Sequence, residues 1–384
     1  MVVDGDAAHR AELAESWPAA DLVVTSYDLL RRDEALYEGQ EFYACILDEA
    51  QAIKNHTTQK YKAVCKVRSR VRFALTGTPV ENRLGELWSI FSFLMPGYLP
   101  PYKSFCSRFE KPIVQEEDQT AVRRLNQLTG PFILRRMKSD VLKELPPKTE
   151  NVYRIELEEE QRKLYLAAVV DAREKLQAAK PEDKMAVFAV LMRLREICCD
   201  PRLIADNWEG GSAKLDACAE LVSSAVEGGH RILLFSQFTS MLELLAKRLD
   251  AEGISHFTLQ GSTPKPVRAE LVRRFNGGEV SVFLISLRAG GTGLNLTAAD
   301  IVIHYDPWWN VAAQNQATDR AYRIGQQNPV QVYKLIAQDT IEEKIVELQQ
   351  AKQSLADTVT GTADGAILSM RPDELLQLLE GSEP

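Results

Sequence analysis

Short apolar runs ended by turn residues recur in two stretches of this chain. In the first, residues 21–79, the runs are residues 22–24, 43–47 and 71–75, the last stopped by Thr76-Gly77-Thr78-Pro79. In the second, residues 231–337, they are residues 232–235, 256–259, 280–286, 301–304 and 330–336. Runs this short, apolar throughout and sharply ended, predict buried parallel strands. Helical periodicity at residues 240–249 and 266–275 lies between strand candidates, a βαβ rhythm that implies a parallel sheet covered by helices.

Between these stretches the pattern changes. Residues 84–128 are mostly helical, broken at Pro96, Pro100 and Pro101. Residues 158–197 carry a helical stripe that includes Leu164 and Ala168. Pro146-Pro147 marks an extended linker. The expected fold class is α/β. A lobe at residues 1–83 is followed by a helical insertion and linker at 84–205, a second lobe at 206–340 and an acidic helical extension at 341–384.

Composition narrows the class without naming it. The chain has 384 residues, 45% hydrophobic and 26% charged, enough for two or three domains with real cores and too apolar for general disorder. No apolar run approaches the roughly 20 residues of a membrane span, and the first residues resemble no export signal. Six cysteines without CxxC or His/Cys ligand spacing argue against zinc and disulfides, and fit a cytoplasmic compartment. The net charge of −8 is concentrated at the end: residues 341–384 hold nine acids and three bases, leaving only −2 for the rest. Charge therefore leaves nucleic acid open as a partner.

Several segments carry candidate chemistry. DEAQ at residues 48–51 directly follows an apolar run, and ligands of parallel α/β sheets bind at the carboxyl ends of strands. Two adjacent carboxylates there suit a magnesium–nucleotide site, though acids also favour helix starts. Thr76, Gly77 and Thr78 end another strand, as a coupling element or an ordinary turn. Gly290-Gly291-Thr292-Gly293 is either a phosphate-contacting loop or a structural turn. Gln316, Arg320 and Arg323 share a face if they lie on one helix, which ends at Gly325, and arginines so placed can bind phosphate as arginine fingers. Trp308-Trp309 is an exposed nucleic-acid contact or buried core. Two basic clusters, Arg135, Arg136 and Lys138, and Lys66, Arg68, Arg70 and Arg72, face a phosphate backbone or merely solvent.

The order of these motifs is more specific than any one of them. DEAQ (48–51), LTGTP (75–79), LRRMKSDV (134–141), ICCDP (197–201), LLFSQF (233–238), GGTGLNL (290–296), HYDPWWN (304–310) and QATDRAYRIGQ (316–326) together closely resemble the Swi/Snf family of superfamily-two helicase-like ATPases. The resemblance covers residues 21–355. It implies two RecA-like lobes that hydrolyse ATP between them and translocate along double-stranded DNA, with a helical insertion. By likeness, Asp48 and Glu49 would serve Mg2+ and the attacking water. Gln51, Gly291, Gly293 and Gln316 would lie near the nucleotide, and Arg320 and Arg323 would be arginine fingers. Thr76, Gly77 and Thr78 would couple the lobes, while Thr25, Gln237, Arg288 and Trp309 would lie near DNA. A DNA-bound protein complex is a further implied partner, and the location would be nucleoid-associated or nuclear. Val311 departs from the family, which usually has proline there.

The larger departure is a missing motif. The 384 residues contain no G-x-x-x-x-G-K-[ST] loop, and Gly211-Ser212-Ala213-Lys214-Leu215 imitates one without the preceding strand or the following hydroxyl. The expectation is a carboxyl-terminal portion of such an ATPase with an incomplete first lobe, inactive alone. The rivals are a non-catalytic DNA- or protein-binding module and an RNA-directed helicase.

Overall fold

The computed structural model describes residues 1–77, 84–116, 118–134, 136, 138–180, 183–205, 207–290 and 293–349, together with residues 372, 375, 376 and 379. The chain divides into two compact units, one spanning Met1–Leu134 and one built on Arg135–Lys352. The division falls inside the stretch assigned to the helical insertion, not at its ends.

In the first unit, β1 (Glu41–Leu47) and β2 (Arg68–Ala74) pair in parallel, with Ile46 opposite Phe73 and Leu47 opposite Ala74. One side of the pair is covered. Cys45, Leu47 and Ala74 pack with Ala63, Val64 and Phe93 from the helices Gln59–Lys66 and Leu84–Leu94. On the other side Ile46, Val71, Phe73 and Leu75 stay exposed, so these strands are not buried on both faces as their composition predicts. The run at residues 22–24 forms a single parallel bridge, Val2 to Val24, with Leu22 and Val24 exposed. Ser26 then caps the helix Tyr27–Arg32 by accepting the Leu29 amide at 3.3 Å. The expected helices after residue 84 are present, including Leu84–Leu94 and Gln119–Thr129 around the cluster of Leu87, Phe91, Phe105 and Leu125.

The second unit carries a six-stranded, all-parallel sheet. Its strands are β3 (Lys148–Ile155), β4 (Ile232–Ser236), β5 (His256–Leu259), β6 (Val282–Ser286), β7 (Ile301–His304) and β8 (Val330–Ala337), in the order β3-β8-β7-β4-β6-β5. Alternate side chains feed two cores. Ile232, Leu234, Val282, Leu284, Ile301 and Ile303 face one layer with Val222 and Leu245, while Leu233, Phe235, Phe283, Ile285 and Val302 face the other with Phe275 and Ala317. Burial on both faces explains why these strands read as unbroken apolar runs. The connection order turns at β4: the chain leaves toward β5 and β6 on one side and resumes at β7 and β8 on the other. Ligands bind at such switch points, beyond the carboxyl ends of the strands.

β3 is the strand that the apolar pattern misses. KTENVYRI has no apolar run, yet all eight residues pair with β8. It lies at the sheet edge, where charge is tolerated and discourages further pairing. Glu150 sits between Lys148 and Lys334, each at 2.7 Å. Burial alone would raise the Glu150 carboxyl, but the two lysines hold it down to about 2. A carboxylate depressed on folding stabilises above its unfolded pKa of about 4.3 and loses that contribution as the pH falls toward 2. Glu150→Gln is therefore expected to flatten the loss of stability between pH 4.5 and pH 2 without changing its slope above pH 6, as read from urea midpoints across pH. An unchanged acid limb would refute the coupling.

The helical stripe at residues 158–197 resolves into two helices, Glu159–Ala178 and Lys184–Cys199. Both belong to the second unit. They form a third core with Trp309, Ile341, Ile345, Leu375 and Leu379, so part of the acidic extension packs here.

Candidate functional site

In the first unit, the pairing of β1 and β2 continues past their ends. Leu75 donates its amide to Leu47 (2.7 Å), and Ala50 donates to Leu75 (2.9 Å). The DEAQ and LTG segments therefore leave the sheet side by side. Ala50 and Ile53, with no exposure, anchor the 3-10 turn Ala50–Ile53 in the core, and Asp48 and Glu49 stand exposed at the strand end. Glu49 has φ 50, a left-handed conformation that costs a non-glycine residue on the order of 1 kcal/mol.

The side chains there form one relay. The Glu49 amide donates to Asp48 Oδ1 (2.9 Å), Gln51 Nε2 donates to Glu49 Oε2 (2.6 Å), and Thr76 Oγ1 donates to Gln51 Oε1 (2.8 Å). Thus Asp48, Glu49 and Gln51 of the DEAQ segment meet Thr76, distant in sequence, in one site. Gly77 is exposed beside them, and Thr78 lies outside the described residues. Tyr27, which the sequence reading missed, donates its hydroxyl to the Asp48 carbonyl at 2.8 Å. Burial, helped by Asp48, pushes the Tyr27 hydroxyl far above its ordinary value and keeps it a neutral donor. Thr25 is half-buried and accepts the Tyr37 hydroxyl at 2.9 Å. The only sequence signal for Tyr27 was its place just past a short apolar run.

Asp48 and Glu49 fit the chemistry of a magnesium–nucleotide complex. Among the described residues no three His, Cys, Asp or Glu side chains gather into a cage. Magnesium needs only one or two carboxylates, taking its other ligands from water and phosphate oxygens. When bound, the ion would neutralise charge on the phosphates; Asp48 would hold it and Glu49 would orient the attacking water.

In the second unit, Gln237 follows β4, the short helix Leu287–Gly290 follows β6, and Asp306 follows β7, all at the carboxyl edge. Gly290 is helical, and a Cβ there would lie 2.8 Å from the Phe235 ring, so this glycine serves packing. Gly293, with φ 43, takes the left-handed region that favours glycine. Gly291 and the Arg288 side chain lie outside what is described. Arg320 is buried and donates Nε to the Gly290 carbonyl at 2.9 Å, while its own carbonyl accepts the Leu296 amide at 3.0 Å. Arg320 and the glycine loop are thus one site.

Gln316, Arg320 and Arg323 do not share a helix face. The helix Val311–Thr318 stops at Asp319, and the following residues are turns, well before Gly325. Gln316 is half-buried on the helix, Arg320 is buried against the glycine loop, and Arg323 is exposed. A buried strut sets this turn: Gln326 donates to the carbonyls of Thr297 (3.2 Å), Ala299 (2.7 Å) and Ala321 (3.1 Å) and accepts the amides of Gln327 and Asn328. The contacts to Thr297 and Ala299 join this turn to a loop more than 25 positions earlier.

Two further expectations change. Trp309 is 4% exposed and lies in the core with Leu191, Leu194 and Ile341, which removes it from a DNA-facing surface. The cluster of Lys66, Arg68, Arg70 and Arg72 is split. Lys66 pairs with Glu34, Arg72 donates to the Phe93 and Val67 carbonyls, and only Arg68 and Arg70 stand exposed without such contacts. In the other cluster, Lys138 pairs with Asp319 at 2.5 Å, Arg136 is exposed and Arg135 lies outside the described residues. The false phosphate loop is resolved as well: Ser212 caps the helix Ala213–Glu227, and Lys214 is buried against Glu342.

The second unit, a parallel sheet with its functional residues at the carboxyl edge around a switch point, defines a RecA-like lobe of helicase type. The model of the SNF2-related domain matches residues 1–203, and that of the helicase conserved C-terminal domain matches residues 213–325. This chain belongs to the SNF2 family of helicase-like, ATP-dependent proteins. It is 39% identical over 376 residues to an uncharacterized ATP-dependent helicase of Mycoplasma pneumoniae, covering 97% of this chain and 36% of that one. It is 36% identical to the SWI/SNF-related matrix-associated actin-dependent regulator of chromatin subfamily A member 1 of Mus musculus, covering 94% of this chain and 36% of that protein. A Sulfolobus solfataricus SWI2/SNF2 ATPase core solved in complex with double-stranded DNA is similar at TM-score 0.52 and 34% identity, over 98% of this chain and 79% of that one. The chain thus spans little more than a third of the length of these two relatives.

Proposed function

We propose that this chain forms part of a Swi/Snf-type motor that couples ATP hydrolysis to movement along double-stranded DNA. The observation that carries the reading is the relay from Glu49 through Gln51 to Thr76, which ties the candidate water-activating carboxylate to the end of the next strand. In this reading Asp48 holds Mg2+ and Glu49 orients water. Gln51, Gly291, Gly293 and Gln316 lie near the nucleotide, and Arg320 and Arg323 offset charge on the transferring phosphoryl group. Thr76, Gly77 and Thr78 pass the change onward. Thr25, Gln237 and Arg288 face DNA, with a DNA-bound protein complex as a further partner. The place of action would be the nucleoid or nucleus, wherever chromosomal DNA is held.

The 384 residues by themselves lack the G-x-x-x-x-G-K-[ST] loop that cradles the β- and γ-phosphates. Expected for the purified chain is ATP turnover near background, with or without duplex DNA, together with salt-dependent binding to duplex DNA that exceeds binding to duplex RNA. Robust turnover would overturn the assignment of inactivity, and equal or stronger RNA binding would overturn the DNA motor. A second reading is a non-catalytic DNA- or protein-binding module. A fluorescent ATP analogue with Mg2+ separates the two. Weak binding that Asp48→Asn and Arg320→Ala both reduce supports the motor, and binding that neither changes supports the module.

A further inference from the structure

Arg195, on the helix Lys184–Cys199, has no exposed surface and lies among aromatic rings. Its guanidinium carbon is 4.4 Å from the centre of the Trp309 ring, 5.5 Å from Phe238 and 5.8 Å from Trp308. Nη2 donates to Asp306 Oδ2 at 3.1 Å and to the Pro307 carbonyl at 2.5 Å. Asp306, itself buried, accepts the Ser236 hydroxyl at 2.6 Å and the Gln237 amide at 3.2 Å on its other oxygen. The Ser236 hydroxyl in turn accepts the Phe238 amide at 3.1 Å. One arginine from a helix outside the sheet therefore holds the chain just beyond β7 and, through one carboxylate, the chain just beyond β4. Those are the two neighbouring strands at the switch point.

Stability alone is a weak reason for this arrangement. Among the described residues, Arg195 Nε and Nη1 and Gln237 Nε2 have no hydrogen-bond partners. Buried donors without acceptors are costly, and well-packed apolar residues in place of a buried ion pair are often neutral or stabilising. What the arginine supplies is position. Gln237 has no side-chain anchor at Nε2, so its place rests on its backbone amide, and that amide is held by Asp306 and thus by Arg195. The flat guanidinium also fits between Asp306 and the Trp309 ring in a way an ammonium cannot.

We propose that Arg195 is a positioning residue for duplex-DNA contact: it fixes Gln237 through Asp306, so the grip of the loop after β4 depends on how the helix Lys184–Cys199 is seated. This rests on the reading above that Gln237 faces DNA. The test uses the full 384-residue chain, with Arg195→Lys, Gln237→Ala and the double variant. Backbone amide exchange is read by NMR, and affinity for a 20-base-pair duplex is read at two salt concentrations. In Arg195→Lys, exchange at Gln237 and Phe238 rises about tenfold, the loss of roughly one hydrogen bond, while Leu233 and Leu234 inside β4 keep their protection. Duplex affinity falls by a similar factor. The salt dependence is unchanged, because no phosphate-neutralising charge is removed. Gln237→Ala weakens binding as much, and the double variant is no worse than either single one.

Unchanged exchange at Gln237, loss of protection along the whole of β4 and β7, or additive effects in the double variant would each overturn the proposal. Should Arg195→Lys fail to fold, Asp306→Asn, isosteric and uncharged, is put through the same measurements. A wild-type chain that does not bind duplex DNA overturns the DNA reading itself, whereas normal wild-type binding left intact by Arg195→Lys overturns only the role of Arg195.

Discussion

Lys214→Met is expected to lower the melting temperature of the unit built on Arg135–Lys352 by about 10 °C, from a loss of roughly 3–5 kcal/mol. Lys214 and Glu342 are both completely buried and paired. Burial pulls the Lys214 ammonium down, but Glu342, helped by Cys199 and Cys198, lifts the lysine above its ordinary value, while burial raises the Glu342 carboxyl. Glu342 also accepts the Ala337 amide at 2.9 Å, which ties the end of β8 to the helix that follows, and the Tyr305 ring lies 5.6 Å from the ammonium. Removing the lysine alone leaves a buried carboxylate with only the Ala337 amide and the weak Cys199 thiol donor at 4.0 Å. The double variant Lys214→Met, Glu342→Leu removes both charges and is expected to regain most of the lost stability, less the orphaned Ala337 amide. Calorimetry of the wild type and both variants is the measurement. A single variant within 1 kcal/mol of wild type, or a double variant worse than the single one, would contradict a buried ion pair that needs both partners.

Trp309→Ala is expected to cost about 3–5 kcal/mol in the same unit, through the cavity it leaves and the lost face beneath Arg195. Trp309 touches Phe188 and Arg195, both on the helix Lys184–Cys199, and its chain neighbour Trp308. Its loss should therefore move the urea midpoint while leaving the denaturant dependence unchanged. Duplex-DNA affinity, corrected for the fraction folded, should fall no further than in Arg195→Lys. An unchanged midpoint combined with a large loss of affinity would return Trp309 to the DNA-facing surface.

Both predictions concern residues whose roles changed between sequence and structure. Lys214 imitates a phosphate-loop lysine in sequence, but Ser212 and Lys214 become a helix cap and a core charge. Trp309 lies in a motif that marks the family, and the motif is recognisable whether the ring points outward or inward. Local pattern cannot decide direction, because direction depends on what occupies the space beyond. Here that is Arg195, 114 positions earlier in the chain.

The strands were the most legible part. β4, β6 and β7 lie within two residues of their apolar runs, since burial on both faces leaves mostly apolar positions. β3 was hidden for the opposite reason: at an edge, pairing comes from backbone hydrogen bonds that polar residues make equally well. The single helix expected over Gln316, Arg320 and Arg323 ends at Thr318, and Gln326 ties the turn that follows it to the carbonyls of Thr297 and Ala299.

By itself the sequence determined the α/β class, the order of the chemical motifs and hence the family. Those follow from residue identity and spacing, which the chain carries locally. Only the tertiary structure decided that Glu49, Gln51 and Thr76 form one relay, that Arg320 closes the glycine loop while Arg323 stays exposed, and that Arg195 holds the residues beyond β4 and β7. Each of these joins positions distant in sequence through hydrogen bonds that exist only after the parallel strands have brought their carboxyl ends together.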